Sequence, residues 1–365
     1  MSRHPESELD ELFDMVDMED FLGIEAVDYR VTPGTSGVQL NIKECPRCGG
    51  NEWKVYLNCD TGFGNCFHGS CVDEPGYNKF SFIKATLGVT NGKVITYVKN
   101  YVTSLGWRPK KTIAVETTNN QEVILPDHYP LPINGSNITY LSRRGIPTSI
   151  AEYFGWLYCH SGFFEFTNVE GKKGKQSYDR RVIIPIYNLE GDLVTFQGRD
   201  ITGTADKKYL FPPKLAGSGR YLYNAQNCIG LEHIVVNEGA FDVAATKMAL
   251  DTQIDLRKVG CVGTFGKHIS EADGESQTKA LLDLKALGLK KVTLMWDSEK
   301  KTLDDACKAA THLKALGLVV YLAILPKGKD PNECSADQVV SAFVSAFLCT
   351  SANLLKFRIK NMRSS

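Results

Sequence analysis

The chain has 365 residues, of which 42 are Lys or Arg and 42 are Asp or Glu, so its formal net charge is zero. The length allows two or three domains, and 43% hydrophobic residues is the composition of an ordinary globular protein. Since the sequence has no apolar run of about 18 residues, we expect no membrane span and no membrane partner. The acidic N-terminus does not resemble a signal peptide, and we therefore expect the protein in the cytoplasm.

Eleven cysteines are present, which is an odd number. Five of them lie between residues 45 and 71, and the others are scattered, several of them within apolar runs. Scattered cysteines of this kind are typical of reduced thiols rather than of a disulfide framework.

The first predicted region covers residues 1–106. Its sequence predicts an acidic helix around residues 8–22, short strands around the cysteines, and two further helices at 80–87 and 94–105. Residues 107–136 are richer in Pro, Asn and Thr and show no sustained period, which is typical of a linker. We therefore predict a small N-terminal domain that this linker joins to the rest of the chain.

The second predicted region covers residues 137–230. A helix pair with the sequence YLSRRGIPTSIAEYFGW is followed by short strands, among them RVIIPIYN and DLVTFQGRD. Although the whole chain is neutral, residues 171–220 hold ten Lys or Arg against five Asp or Glu. We expect a mixed α+β subdomain with a local basic surface.

Strand patterns and helix patterns alternate in the third predicted region, residues 231–335, and residues 336–365 predict a last helix with a basic tail. This alternation is typical of a mostly parallel sheet with helices on both faces, so the predicted fold class is α/β. Ligands of such sheets bind at the carboxyl ends of the strands.

The cysteine-rich segment predicts a closed, structural zinc site. Cys45 and Cys48 form a CPxCG turn, which directs two thiolates at one tetrahedral ion. The alternative is that these cysteines are buried and bind no metal. We disfavour it because so small a domain needs a metal or a cross-link to fold. For the other two ligand places we favour Cys66 and Cys71, and the alternatives are His68 and Cys59. The nearby aromatic residues are more readily interpreted as core than as groups that stack on bases: Trp53, Tyr56, Phe63 and Phe67.

Acidic side chains follow the predicted strands of the third region. Glu238 follows IVVN, Asp297 and Glu299 follow VTLMW, and Asp330 follows the next strand by a short loop. One such residue is often only a helix cap, but grouped carboxylates repel one another, and a divalent cation removes that penalty. We expect them to hold Mg²⁺, or Mn²⁺, for phosphoryl transfer. Asp242, one helical turn after Glu238, is a further candidate.

Basic side chains of the second region are candidates for contact with template phosphates or with an incoming triphosphate. Each of them taken singly is more typical of a solvated surface charge, so the argument rests on the group. The candidates are Arg181, Arg199, Lys207 and Lys208.

Three sets of motifs follow one another along the chain: CPRCGG with NCFHGSC, the basic strands GDLVTFQGRD and KKYLF, and the acidic set IVVNEGAFD, LMWDSE and LPKGKDPNE. Together they resemble the Toprim primases, most closely the primase half of the T-odd phage replicative primase-helicases, and also bacterial primases and mitochondrial Twinkle. The resemblance implies a zinc ribbon, a linker, and a primase core with a basic subdomain and a Toprim sheet. It implies a DNA primase, which makes short RNA primers on single-stranded DNA from ribonucleoside triphosphates.

The resemblance also assigns roles to matching positions. Glu238 matches the family's glutamate that binds metal or acts in proton transfer, Asp297 the first aspartate of the D-x-D motif, and Asp330 a later acidic ligand. Arg199 and Lys208 match residues that contact template or nucleotide. Further implications are a zinc ribbon that reads a short template sequence, a phage origin with activity in the host cytoplasm, and a separate replicative helicase as partner, since no helicase half is present.

The sequence departs from the family pattern at two places. Glu299 takes the second D-x-D position, which leaves Asp304 and Asp305 as alternative magnesium ligands. The second cysteine knuckle has two extra residues, which leaves the fourth zinc ligand open. The alternative functions are a Toprim nuclease or topoisomerase-like strand-cleaving enzyme, and a non-catalytic zinc-ribbon DNA-binding replication protein.

Overall fold

A computed structural model describes residues 8–34, 37–71, 74–106, 123–167, 171–271 and 275–363, apart from the side chains of residues 300 and 360–363. The chain divides into two compact units, Met1–Lys111 with Leu282–Gly288, and Thr112–Leu281 with Leu289–Ser365. The first division falls within the predicted linker, of which residues 107–122 lie outside the described residues. The other domain boundaries stay predictions.

Two short helices open the described chain where the sequence predicts one: α1 (Glu8–Asp14) and α2 (Met18–Ile24). They are separated at Asp17, whose backbone is extended and whose side chain accepts hydrogen bonds from two N–H groups of the first turn of α2. Such a cap satisfies the free donors of a helix start but stands outside the helix itself. The single helix expected at 8–22 is therefore interrupted.

A four-stranded antiparallel sheet follows, with the strands in chain order: β1 (Tyr29–Gly34), β2 (Gly37–Glu44), β3 (Asn51–Asn58) and β4 (Gly64–Cys66). Two helices then match the predicted helical patterns: α3 (Lys79–Leu87) and α4 (Asn91–Ser104). The bounds of α3 have local causes, because Asn78 and Ser81 form a reciprocal cap at its start and Gly88 takes a left-handed φ of 63° at its end.

The next elements belong to the region predicted as mixed α+β. They are β5 (Tyr129–Pro130), α5 (Thr139–Arg143), α6 (Thr148–Tyr153), β6 (Leu157–Cys159), β7 (Phe163–Thr167), β8 (Lys173–Ser177), β9 (Arg181–Tyr187), β10 (Leu193–Asp200) and β11 (Tyr209–Leu210). Five of the strands form an antiparallel sheet in the order β11-β10-β9-β6-β5, and β7 pairs with β8. The end of the predicted linker thus contributes an edge strand, β5.

The parallel sheet predicted for the third region is present. Its elements are β12 (His233–Asn237), α7 (Ala240–Asp251), β13 (Gly260–Gly263), α8 (Gln277–Ala286), β14 (Lys291–Leu294), α9 (Lys300–Ala315), β15 (Val319–Leu322), α10 (Ala336–Val344), β16 (Phe347–Leu348) and α11 (Ser351–Arg363). The strand order is β13-β12-β14-β15-β16, with the first four parallel and β16 antiparallel to β15. The α/β fold class is confirmed.

One hydrophobic core joins the antiparallel sheet to the parallel sheet. Its buried members include Trp156 after α6, Ile184 in β9, Val235 in β12 and Val339 in α10. The indole N–H of Trp156 donates to the hydroxyl of Tyr223 at 2.8 Å, so the polar atoms enclosed there are satisfied. Among the helices of the described ranges, none is both long and apolar enough to cross a membrane.

Candidate metal centres and acidic site

Four cysteines of the first unit converge on one point. The sulfur atoms of Cys45, Cys48, Cys66 and Cys71 all lie within 4.8 Å of one another, with 4.0 Å between Cys45 and Cys71 and 4.0 Å between Cys48 and Cys66. Zn–S bonds of about 2.3 Å in a tetrahedron place the sulfur atoms about 3.8 Å apart. The cluster therefore fits one tetrahedral ion, and it unites the four cysteines that the sequence favours.

Three separate elements supply these sulfur atoms. The Cys45 turn is closed by two backbone hydrogen bonds, from the Cys45 N–H to Gly50 at 2.9 Å and from the Gly49 N–H to Cys45 at 2.8 Å. Gly49 has a φ of 70°, which explains the glycine in this motif. Cys66 ends β4, and Cys71 ends a single 3-10 turn.

His68 lies beside the cluster and not within it. Its Nδ1 is 3.1 Å from the sulfur of Cys66, and the hydroxyl of buried Tyr77 is 3.1 Å from the sulfur of Cys45. Burial raises the pKa of the Cys66 and Cys71 thiols, so both need a neighbouring cation to be thiolates at neutral pH. Groups placed like His68 and Tyr77 orient metal ligands and adjust their basicity.

The sequence predicts that the aromatic side chains near the cluster are buried in a core, and several of them are exposed instead. Phe63 and Phe67 are each 64% exposed, and Tyr56 is 39% exposed. The rings of Tyr56 and Phe67 meet edge to face at 5.9 Å. Trp53 is covered instead by the guanidinium of Arg30, which lies 3.6 Å from the ring centroid. The sheet has too few residues to enclose all these rings.

In the second unit, a charged side chain stands at the carboxyl end of each of the four parallel strands. The residues are Lys267 after β13, Glu238 after β12, Asp297 with Glu299 after β14, and Asp330 after β15. The strand order places their loops side by side along one edge of the sheet. This edge is where ligands bind in sheets of this type.

Buried polar groups fix the relative positions of these loops. The Asn237 side chain, fully buried, donates to the carbonyl of Met295 at 3.0 Å and to the hydroxyl of Thr246 at 3.0 Å. This ties the residue before Glu238 to the end of β14. The Ser298 hydroxyl donates to the carbonyl of Pro326 at 2.5 Å, which ties the Asp297 loop to the Asp330 loop.

Lys267 is the member that the sequence analysis missed. Its Nζ lies 3.2 Å from Oδ2 of Asp297, 3.6 Å from Oε2 of Glu299 and 3.9 Å from Oε2 of Glu238. It also donates to the hydroxyl of Thr302 in α9 at 2.8 Å. The segment 263–268 lacks a phosphate-loop motif, but its position after a strand pattern was a usable signal for a site residue.

Three carboxyl groups at this edge, those of Glu238, Asp242 and Asp330, are destabilised in their charged form. Burial, followed by the charge of Asp297, raises the pKa of Glu238 to about 7. Burial, followed by the charge of Asp330, raises the pKa of Asp242 to about 8, and burial also raises the pKa of Asp330. Oε2 of Glu238 is buried without a hydrogen-bond partner. An all-oxygen set with an unsatisfied carboxylate fits the ligand preference of Mg²⁺ or Mn²⁺.

Two of the acidic candidates also hold local structure. An oxygen of Asp330 accepts a hydrogen bond from the Glu333 N–H at 2.8 Å, and one of Asp242 accepts from the Gly239 N–H at 3.0 Å. Of the alternatives in α9, Asp305 pairs with Lys308 at 2.9 Å. The described contacts therefore bring Glu299, and not this alternative, to the Lys267 cluster.

The four basic candidates divide into two buried and two exposed residues. Arg181 is 6% exposed, and its guanidinium donates to the carbonyls of Gly198 and Lys207. Arg199 is 5% exposed, donates to the hydroxyl of Tyr140 at 2.8 Å and lies over an aromatic ring of β11. Lys207 and Lys208 are exposed. The hydrogen bonds of Arg181 stabilise the fold, whereas Lys207 and Lys208 are accessible to a ligand from solvent.

Comparison with known proteins gives the following relatives. A DNA primase of Staphylococcus aureus strain MSSA476 is 30% identical over 203 residues, which are 53% of this chain and 29% of the relative. A DNA primase of Halalkalibacterium halodurans is 25% identical over 401 residues, which are 99% of this chain and 62% of the relative. The chain thus spans less than two thirds of the length of these curated relatives. No family model matches it.

Comparison with solved structures also finds primases. The zinc-binding and RNA polymerase domains of the Aquifex aeolicus primase align over 100% of this chain and 92% of that one, with 18% identity and a TM-score of 0.45. A primase domain from Pseudomonas aeruginosa covers 60% of this chain and 75% of its own, with 22% identity and a TM-score of 0.48. The sequence relatives confirm the resemblance to the Toprim-type primases, and the chain is similar in sequence to bacterial DNA primases.

Proposed function

We propose that the chain is a DNA primase, which joins ribonucleoside triphosphates on a single-stranded DNA template. The observation that carries the proposal is the convergence of Glu238, Asp297 and Glu299 at one edge of a parallel sheet. Such an acidic site can serve several reactions on nucleic acids. Primer synthesis from ribonucleoside triphosphates is preferred because the sequence relatives are named DNA primase.

Each part of the acidic edge has a role in this proposal. Glu238, Asp297 and Glu299 would hold Mg²⁺ or Mn²⁺, with Asp330 and Asp242 beside them. A divalent ion held there would supply positive charge that offsets the negative charge developing on the triphosphate during transfer. The exposed lysines Lys207 and Lys208 provide positive charge for template or nucleotide phosphates. For buried Arg199, this role is supported by the motif resemblance alone.

The four-cysteine cluster is proposed to hold structural Zn²⁺, which keeps the small sheet folded. The exposed rings of Tyr56, Phe63 and Phe67 give this sheet a surface on which unpaired template bases can stack. The motif resemblance alone supports three further parts of the proposal, which are a phage origin, activity in the cytoplasm of the host, and a replicative helicase as partner.

The test is primer synthesis by the zinc-loaded protein with Mg²⁺, a mixed-sequence single-stranded DNA and labelled ribonucleoside triphosphates. We expect short RNA products, and we expect Glu238→Gln and Asp297→Asn to lower their yield by at least about a hundredfold. Template binding, measured by fluorescence anisotropy, should stay within about twofold of the unmodified protein, since the exposed lysines are kept.

The matched control is Glu232→Gln. Glu232 directly precedes β12, whereas Glu238 directly follows it. Glu232 pairs with Lys290 at the opposite edge of the sheet, so primer synthesis should be unchanged. Cleaved template in place of primers would move the assignment to a strand-cleaving enzyme. Template binding with neither product, at any concentration of Mg²⁺ or Mn²⁺, would leave a DNA-binding protein without this activity.

A further inference from the structure

The loop that carries Lys267 is hydrogen-bonded to the end of β12 and to Glu238, which follows that strand. The N–H groups of Thr264 and Phe265 donate to the carbonyls of Asn237 and Glu238, at 3.1 and 2.7 Å. The buried side chain of Gln277 donates to the carbonyl of Thr264 at 2.6 Å. The backbone around Lys267 is therefore held in register with the acidic residues, while the side chain of Lys267 keeps its own freedom to rotate.

The ammonium group is shared among three carboxylates. Nζ lies between 3.2 and 3.9 Å from oxygens of Asp297, Glu299 and Glu238, and Thr302 provides one more hydrogen-bond partner. The Lys267 side chain is 32% exposed, so one side of the cluster faces solvent. One positive charge serves three acidic groups, which leaves most of their mutual repulsion in place.

A divalent ion and this ammonium compete for the same oxygens. Mg²⁺ binds its oxygen ligands at about 2.0–2.1 Å, and Nζ lies 3.2 Å from Oδ2 of Asp297, so an ion bound to that oxygen would lie at most about 5 Å from Nζ. Like charges at that distance repel, and the partly buried position of Lys267 and Asp297 makes this repulsion stronger than in bulk water. The flexible four-carbon stem of Lys267 allows the ammonium to move toward solvent without disturbing the loop backbone.

We propose that Lys267 is both the counter-ion of the acidic edge and a contact for the substrate's phosphates, so that its ammonium passes from the carboxylates to triphosphate oxygens as the divalent ion binds. This inference rests on the proposed function. The triphosphate supplies anionic oxygens on the solvent side, where the lysine can go, and Lys binds phosphate as a point charge.

Two binding measurements test whether the Lys267 ammonium moves from the carboxylates to the triphosphate. Both use the zinc-loaded protein without template. In Lys267→Met the affinity for Mn²⁺, followed by electron paramagnetic resonance, should rise about five- to tenfold because the competing charge is gone. The affinity for ATP in saturating Mg²⁺, followed by calorimetry, should fall about tenfold because a charged phosphate contact is lost.

Three variants complete the design. Lys267→Gln can keep a hydrogen bond to Thr302 and should repeat both shifts, which guards against a folding defect in Lys267→Met. Lys267→Arg keeps the charge and should bind Mn²⁺ as the unmodified protein does. Lys258→Met removes an exposed lysine that precedes β13, at the opposite edge of the sheet, and should change neither affinity.

Unchanged or weaker Mn²⁺ binding in both neutral variants would overturn the counter-ion role, and unchanged ATP binding would overturn the phosphate contact. Because neither measurement needs primer synthesis, the two proposals fail separately. A protein that shows both shifts but makes no primers keeps this role for Lys267 and loses the primase assignment. One that makes primers without either shift loses only the role of Lys267.

Discussion

Single buried polar residues decide where the charged groups of the acidic edge stand. Asn237 joins the ends of β12 and β14 through its hydrogen bond to Met295, and Ser298 joins the next pair of loops. Arg181 shows that a charged residue can also serve the fold. The sequence predicts it on a basic surface, but its guanidinium donates hydrogen bonds to backbone carbonyls. Residue type alone predicts neither role, because an amide or guanidinium serves whichever partner the fold brings to it.

His233 provides a prediction at this scale. It packs against Phe343 with ring centroids 5.2 Å apart, and its Nε2 lies 2.9 Å from the hydroxyl of Thr293. Burial, followed by the charge of Lys291, lowers the pKa of His233 to about 4. The folded protein therefore keeps this histidine neutral, while the unfolded chain takes up a proton below about pH 6.5. Stability contributed by neutral His233 is full above pH 6.5 and is lost as the pH falls toward 4.

We expect the free energy of unfolding to fall in this window by on the order of 1 kcal/mol per pH unit through His233. Urea unfolding of the unmodified protein and of His233→Gln at pH 7.5 and pH 5 measures this contribution. The difference between the two pH values should be smaller in His233→Gln. An equal pH dependence in both proteins would mean that His233 has the same pKa in the folded and the unfolded chain.

At the scale of elements, the cysteine-bearing turns work as a unit with β3 and β4. The turn with Cys45 and Cys48 contributes two sulfur atoms, and β4 and the 3-10 turn contribute one each. None of these elements has enough buried apolar surface of its own to be stable alone. The neighbouring His68 and Tyr77 add hydrogen-bond partners to the sulfurs. The sequence could identify this cluster because cysteine spacing is a local property of the chain.

The distinction between metal ligand and orienting group gives the second prediction. Cys71→Ser should lose bound zinc, as measured by metal analysis after dialysis, whereas His68→Ala should keep it with an affinity lower by about 10- to 100-fold. Cys59→Ser is the control and should bind zinc normally, because Cys59 is not among the four clustered cysteines. Loss of zinc in His68→Ala together with retention in Cys71→Ser would show that the histidine is the ligand.

At the scale of the whole molecule, the second unit has a core that two differently built sheets share. Ile184 of the antiparallel sheet and Val235 of the parallel sheet belong to the same buried cluster, as does Val339 of α10. Regions that share a core unfold together more readily than regions with separate cores. The predicted subdomains 137–230 and 231–335, and α10 beyond them, are therefore expected to behave as one cooperative body.

Ile184→Ala tests this cooperativity. We expect a loss of about 2–4 kcal/mol in the free energy of unfolding, because a fully buried side chain leaves a cavity. Hydrogen exchange should accelerate in peptides from β12 and β14 as much as in those from β9. Val344→Ala, at a position that is 71% exposed, is the control and should change exchange little. Acceleration confined to the antiparallel sheet would show that the two sheets unfold independently.

The sequence by itself determined the features that depend on neighbours along the chain. These are the α/β alternation, the cysteine spacing that gathers four thiols, and the acidic residues at strand ends, since strand period and turn chemistry are local. The break at Asp17 and the strand β16 were missed because caps and edge pairing are decided by a few competing hydrogen bonds. Only the tertiary structure decided that Lys267 joins Glu238 and Asp297, and that Arg181 turns inward. Both outcomes depend on which strands lie side by side, and strand order is a long-range property that local patterns do not encode.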